Sequence, residues 1–330
     1  MFKRSIFTLL GAGLVAVPVI TLAADVTLRI SLQLPLKSHL GQNLVMFEKE
    51  VEEKSAGEID VQIYDSAQLY KDKEVPAAVG SGAIEMGVAS LTRYVGDVPA
   101  VDIFYQPFLF DSTDKVNKAV AKDSTVRGPI DEAIQGTGSN VLWWQAYGGA
   151  VMLSNSNAVK SPADMEGKKV RVFGKTLGDF VSATGGAPTL ISGSEQYLAY
   201  QRGTVDYGMT GVSGVKSRKL WEVMDTISVT NHADIEFVVV VNSEFWDSLS
   251  DEHKEVVSAA AANAEADVRN RMVQIEADAY QAAKENGMSV YEPTAEELAE
   301  WKKASQPVYD AYLENAGELG KQILDAANNL

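Results

Sequence analysis

From Thr27 onward the chain alternates, with Leu28, Ile30 and Leu32 on one side and Thr27, Arg29 and Ser31 on the other. That period of two predicts a strand. Apolar residues then recur at Leu40, Leu44, Phe47 and Val51, lining one face of a helix that Gly57 ends. Alternation returns at Ile59, Val61 and Ile63. Strand, helix and strand in this order predict a βαβ unit, hence a parallel sheet in an α/β fold. The second half repeats the scheme, with Val170 and Val172 in a short strand, Leu177, Phe180 and Val181 on a helix, and Gly185 and Gly186 as its stop. Ile235 to Val241 is almost continuously β-branched or aromatic, as a strand buried on both faces requires.

Two segments share a pattern. Gly82 to Ser90 and Gly203 to Gly211 both read Gly, any, Ile/Val, acidic, any, Gly. Each follows a helical stretch, so each predicts a helix stop, a short strand and a loop. Two similar α/β lobes would then end strands at a common cleft, where ligands of such sheets bind. One element is longer than a lobe. Ser250 can cap it, Asp251 and Glu252 suit its first turn, Val257, Ala261, Ala264, Val268, Met272, Ile275 and Ala279 form its apolar face, and Gly287 ends it. Roughly 36 residues at about 1.5 Å each give about 54 Å, enough to run along both lobes. Its alanine-rich face suits packing on a sheet better than a coiled-coil dimer. The expected architecture is a two-lobed α/β fold with a central cleft and a long helix spanning both lobes. Residues 25–147 with about 236–275 form one lobe, and 148–235 with about 276–330 the other. Gly148 and Gly149 are the expected hinge.

The N-terminus changes the compartment. Lys3 and Arg4 precede an uncharged apolar run from Ile6 to Ile20, and Thr21, Ala23 and Ala24 are small. This predicts a secretory signal peptide over residues 1–24, cleaved before Asp25, and a periplasmic product. The run is short for a bilayer span, which takes about 20 residues. With no cysteine in the chain, disulfides, thiol catalysis and thiolate metal sites are excluded. The 29 basic and 45 acidic residues give a net charge of −16, which loss of Lys3 and Arg4 carries to −18. Such a surface repels nucleic acid and anionic lipid. An anionic ligand therefore needs local positive charge, and arginines in pocket elements become informative.

Enzyme chemistry is sparse. His39, His232 and His253 are the only histidines, none at metal-ligand spacing, and His253 is expected to be solvated on the first turn of the long helix. Nucleophile-elbow, phosphate-loop and dinucleotide motifs are missing, and no metal or cofactor is expected. Three polar constellations remain. In Lys168 to Phe173, alternation sets Lys169, Arg171 and Phe173 opposite Val170 and Val172, and an arginine at a strand end can grip a carboxylate through two parallel hydrogen bonds, although a surface salt bridge reads the same. Ser90 to Tyr94, with Arg93, follows the first copy of the shared pattern. Trp143 to Gly149 places two tryptophans on opposite faces, one for the core and one, Trp144 or Trp143, for the surface or cleft, with Tyr147 beyond.

At these residues the chain resembles the solute-binding proteins of tripartite ATP-independent periplasmic (TRAP) transporters, the DctP-like type. The resemblance runs through Phe47 to Ile59, Gln68 and Leu69 with Glu74, Ser161 to Arg171, Ser194 to Tyr197 with Gln201, Val205 and Asp206, and Phe245 to Asp247. It implies a receptor, not an enzyme. It also implies two lobes that shut on a ligand, a long helix across them, and ion-coupled delivery to a small and a large membrane subunit. Arg171 matches the arginine that pairs with the ligand carboxylate in this family, and Arg93 an arginine of sialic-acid binders. Ala150 stands where many members have a second arginine, Thr210 where asparagine is usual, and Gly193 where an aromatic is common. One cation and one ring are thereby lost, which favours a monocarboxylate with an apolar or aromatic body, or a 2-keto or 2-hydroxy acid, over C4-dicarboxylates or sugar acids. The expected ligand contacts are Arg171, Arg93, Thr210, Trp144, Tyr147, Ser90, His39, Gln33, Phe173 and Tyr207. The receptor is expected to work as a monomer, with a dimer as the alternative. The rival readings are a periplasmic lyase or hydrolase using His39 or His232 as base, and a ligand-binding partner of a membrane sensor.

Overall fold

A computed structural model describes residues 24–330. The expected leader lies outside the described residues, apart from Ala24. The described residues form ten strands: β1 (Val26–Ser31), β2 (Ile59–Tyr64), β3 (Met86–Ser90), β4 (Ser139–Ser154), β5 (Lys169–Val172), β6 (Ala187–Leu190), β7 (Tyr207–Gly211), β8 (Thr226–Ser228), β9 (Asp234–Asn242) and β10 (Ser289–Tyr291). The helices are α1 (His39–Lys54), α2 (Val75–Gly80), α3 (Thr113–Val120), α4 (Arg127–Gln135), α5 (Lys175–Ala183) and α6 (Gln196–Gln201). They continue with α7 (Val212–Arg218), α8 (Ser243–Ser248), α9 (Asp251–Glu285), α10 (Ala295–Ala304) and α11 (Gln306–Asn328).

The βαβ expectation holds: β1 and β2 pair in parallel with α1 between them. The Ser38 side chain accepts from the Gly41 N–H to start α1, and Leu40, Leu44, Phe47 and Val51 are fully buried on its inner face. Burying a side chain such as Phe47 contributes about 1.5–3 kcal/mol, so this face decides where the helix lies. Gly57, with φ +83°, turns the chain into β2.

The strands follow the order β2-β1-β3-β9-β4-β7-β5-β6, with β8 beside β4 and β10 beside β8. Two elements join the halves. β4 pairs with β9 from Ser139 to Gly149 and then with β7 from Ala150 to Ser154, so one strand belongs to both halves. The 35-residue α9, capped by Ser250 through the His253 N–H, sends Val257 to Val268 into one hydrophobic core and Ala279 and Ala283 into the other. This is the long shared helix the spacing predicts. His253 departs from expectation: its Nε2 lies 3.0 Å from Glu58 Oε2, so the ring is tied to the start of β2 rather than solvated. None of the helices formed by the described residues is long and apolar enough to cross a membrane.

Candidate functional site

The two copies of the glycine pattern take the same course. Gly82 (φ +73°) and Gly203 (φ +63°) turn the chain out of α2 and α6. Gly87 and Gly208 then let each helix press on its strand, since a Cβ would lie 2.5 Å from Val75 Cγ1 in one copy and 1.7 Å from Tyr200 Oη in the other. The carboxyl ends of β3 and β7 therefore meet, and Ser90 and Thr210 face one cavity. Gln33, Tyr147, Arg171 and Phe173 line it too, together with Asp72, Gly193, Arg218, Ile235 and Phe237. Tyr147 reaches it because β4 bulges between Ala146 and Gly148, leaving Tyr147 without a partner on β9. The free volume between these side chains is about 20 Å³, room for about one water molecule. Larger crevices of about 780 and 470 Å³ lie outside it, but their arginine, Arg269, is already held by Glu236 through both carboxylate oxygens. The small cavity brings together two arginines, Arg171 and Arg218, that have no acidic partner of their own.

Arg171 is fully enclosed. Its Nε donates to Ile191 O at 3.0 Å and its Nη1 to Met209 O at 2.5 Å, while Phe173 lies 5.1 Å beneath the guanidinium. Three of its five N–H groups are left for a ligand. Burial pulls its pKa down to about 10, helped by the like charges of Arg218 and Arg93. It stays charged at neutral pH, and no carboxylate faces it as an ion-pair partner. Arg93 is instead bound to Asp72, Nε to Oδ2 at 2.5 Å, and Asp72 also accepts from the Ser90 N–H and hydroxyl. Asp72 and Arg93 thus neutralise each other at the cavity edge.

Arg218, from the last turn of α7, is the residue sequence reasoning missed. Its Nη2 donates to Thr210 Oγ1 at 3.0 Å and to the Tyr147 hydroxyl at 3.3 Å, and its Nη1 to Gly193 O at 3.3 Å. Its Nε is buried without a partner, as is Gln33 Oε1. The expectation of a pocket with one cation is corrected accordingly: Ala150 lies in β4, but a second guanidinium arrives from α7.

Four expected residues stand elsewhere. Trp144 and Trp143 do face opposite ways, but both sides of β4 are covered, so neither reaches the cleft. Trp143 packs on Phe47 and donates to Asn43, and Trp144 packs on Phe104 and donates to Asp131. Tyr207 is at the opposite end of β7 from Thr210, under the Lys168 ammonium. His39 stands behind Tyr147 with ring centroids 5.2 Å apart, and its Nε2–H donates to Ala146 O. Burial pushes its pKa down to about 4, so it is neutral at pH 7. Arg93 reaches Asp72 rather than the cavity wall. His232 is stacked on Phe180. Neither histidine offered as a base touches the cavity.

Residues 30–315 match the family described as bacterial extracellular solute-binding protein, family 7 (DctP). The C4-dicarboxylate-binding periplasmic protein DctP of Rhodobacter capsulatus is 30% identical over 322 residues, 96% of this chain and 95% of that protein. A TRAP periplasmic solute-binding protein from a Polaromonas species, solved with D-erythronate, superposes with a TM-score of 0.86 at 27% identity, covering 92% of this chain and 99% of that one. Another, from Sulfurospirillum deleyianum with bound succinate, gives 0.84 at 25% identity, covering 91% and 98%.

Proposed function

Because the chain belongs to the family 7 extracellular solute-binding proteins, receptors of TRAP transporters rather than enzymes, we propose that it captures a small organic carboxylate between its two lobes and delivers it to the transporter's small and large membrane subunits for ion-coupled uptake. One observation carries the proposal. Arg171 is enclosed where strands from both halves end, with three N–H groups turned from any acid of its own. A buried guanidinium in that state is stabilised by a carboxylate, which accepts two parallel charge-assisted bonds. Cleavage before Asp25 would release the receptor into the periplasm as a monomer, with the lobes divided near residues 147, 235 and 275. An enzymatic reading lacks a base, since His39 and His232 are outside the cavity.

The test is a thermal-shift screen of ligand-stripped protein against organic acids, each paired with its neutral amide. Small carboxylic acids should raise the melting temperature by several degrees and their amides should not. Equal stabilisation by amide and acid, or none by any acid, contradicts carboxylate capture.

A further inference from the structure

Helix α5 lacks a cap of its own. Gly174 stands at its N-cap position with no side chain to accept from the first turn, and that turn holds no acid. The first N–H groups of a helix need an acceptor from elsewhere. Thr176 finds one far along the chain: Asp102 Oδ2 accepts from its N–H at 3.2 Å and from its hydroxyl at 2.7 Å. Asp102 belongs to a 3₁₀ segment, Pro99–Tyr105, that follows β3 in one half of the fold, whereas α5 follows β5 in the other. The cap is supplied across the divide.

The packing around this cap is close. Gly174 has an extended backbone that any residue adopts, yet a Cβ there would lie 2.4 Å from Thr92 Oγ1 of the opposite half. Three residues beyond Asp102, on the same side of the 3₁₀ segment, Tyr105 meets Phe173 edge-on with ring centroids 5.8 Å apart. Asp102 and Tyr105 thus hold the stretch from Phe173 to Thr176, where the chain leaves β5 just after Arg171. Neither Asp102 nor Thr176 lines the cavity. Closure gains two bonds at Oδ2 beside a helix N-terminus, which favours a carboxylate. It also strips water from Asp102 Oδ1, which is buried without a partner. The contact can therefore hold the shut form and still release.

We propose that Asp102 is a positioning residue for capture: by capping α5 from the opposite half, it locks the end of β5 in the shut form and sets how slowly a bound acid leaves. The proposal rests on carboxylate capture by closure over Arg171 and adds what holds the closed state outside the cavity.

Stopped-flow fluorescence with succinate, lactate, pyruvate, benzoate and D-erythronate tests it, followed with whichever acid binds the wild type most tightly. Asp102→Ala and Thr176→Val should each raise the dissociation rate about tenfold, the scale of a hydrogen bond to a charged group, and leave association unchanged. The double variant should release no faster than either single one, because both changes remove the same contact. Asp102→Asn keeps an acceptor and should recover part of the loss. All four variants should keep the wild-type melting temperature without ligand, since the open form lacks the contact. Ligand-free protein destabilised as much as the bound form, or single effects that add, would make the contact a static part of the fold and overturn the assignment. A wild-type dissociation rate in Asp102→Ala would overturn it too. The two proposals fail separately. Binding that survives Arg171→Ala refutes capture at Arg171, and a wild type that binds none of the acids refutes both. Binding abolished by Arg171→Ala, with release unmoved by Asp102→Ala, refutes only the role of Asp102.

Discussion

Arg171 occupies a strand whose neighbours, Val170 and Val172, are core residues, and that alternation is why the sequence singles it out. A charged side chain on the second face of a short strand has either solvent or a ligand to meet, and the fold closes off solvent. Replacing it with alanine should cost about 3 kcal/mol or more of binding, roughly a hundredfold or greater in Kd, because a carboxylate would lose its partner in a closed space. Lysine should rescue poorly, since it brings a point charge without the planar fork. Calorimetry showing native affinity for Arg171→Ala contradicts the assignment. Arg218 was not legible in the same way. An arginine in the last turn of a helix reads as an ordinary partner of the helix dipole, and only the packing of α7 beside Gly193 turns it inward. Trp144 shows the opposite failure: the sequence gives its face on β4 correctly but cannot say that Phe104 and Asp131 cover that face.

At the scale of elements, periodicity carried further. α1, α9, the β1–β2 pair and the two glycine-marked strands all follow from local pattern. The bulge that aims Tyr147 does not, because it depends on the register of β4 against β9. Nor does the contact beside it, where Glu276 of α9 accepts from the Gly149 N–H at 3.0 Å, next to Gly148 at φ +89°. Burial raises the Glu276 pKa, with the Gly149 bond opposing, and burial raises that of Asp234 on β9 further. Nearby Arg269 is committed to Glu236. A carboxyl whose pKa is higher folded than unfolded holds its proton longer in the native state. Its contribution is present at low pH and lost as pH rises through the folded value. Glu276→Gln keeps an acceptor for Gly149 and removes the titration, so its stability should decline less than the wild type's between pH 5 and 8. Urea unfolding at several pH values measures this, and parallel pH profiles would contradict it.

The whole molecule sets a strongly negative surface around a cavity with two unbalanced guanidinium groups. The global field opposes an anion's approach, so affinity must come from contacts inside. The groups that line the cavity are drawn from both halves of the chain: Gln33, Ser90 and Asp72 on one side, Arg171, Thr210 and Arg218 on the other. Across the rim, Lys71 reaches Glu195 at 2.8 Å, and Asp102 accepts from the Thr176 hydroxyl at 2.7 Å. About 20 Å³ admits no organic acid without movement, so entry requires the halves to part at the β4 and β9 crossings. A ligand touching both halves then shifts the balance toward the shut form. Small-angle scattering from ligand-stripped protein, with and without the acid that gives the largest thermal shift, tests this most directly. The radius of gyration should fall on saturation in the wild type and stay constant in Arg171→Ala. A wild-type profile unchanged by saturating acid, or a variant that contracts equally, would contradict capture of a carboxylate by closure over Arg171.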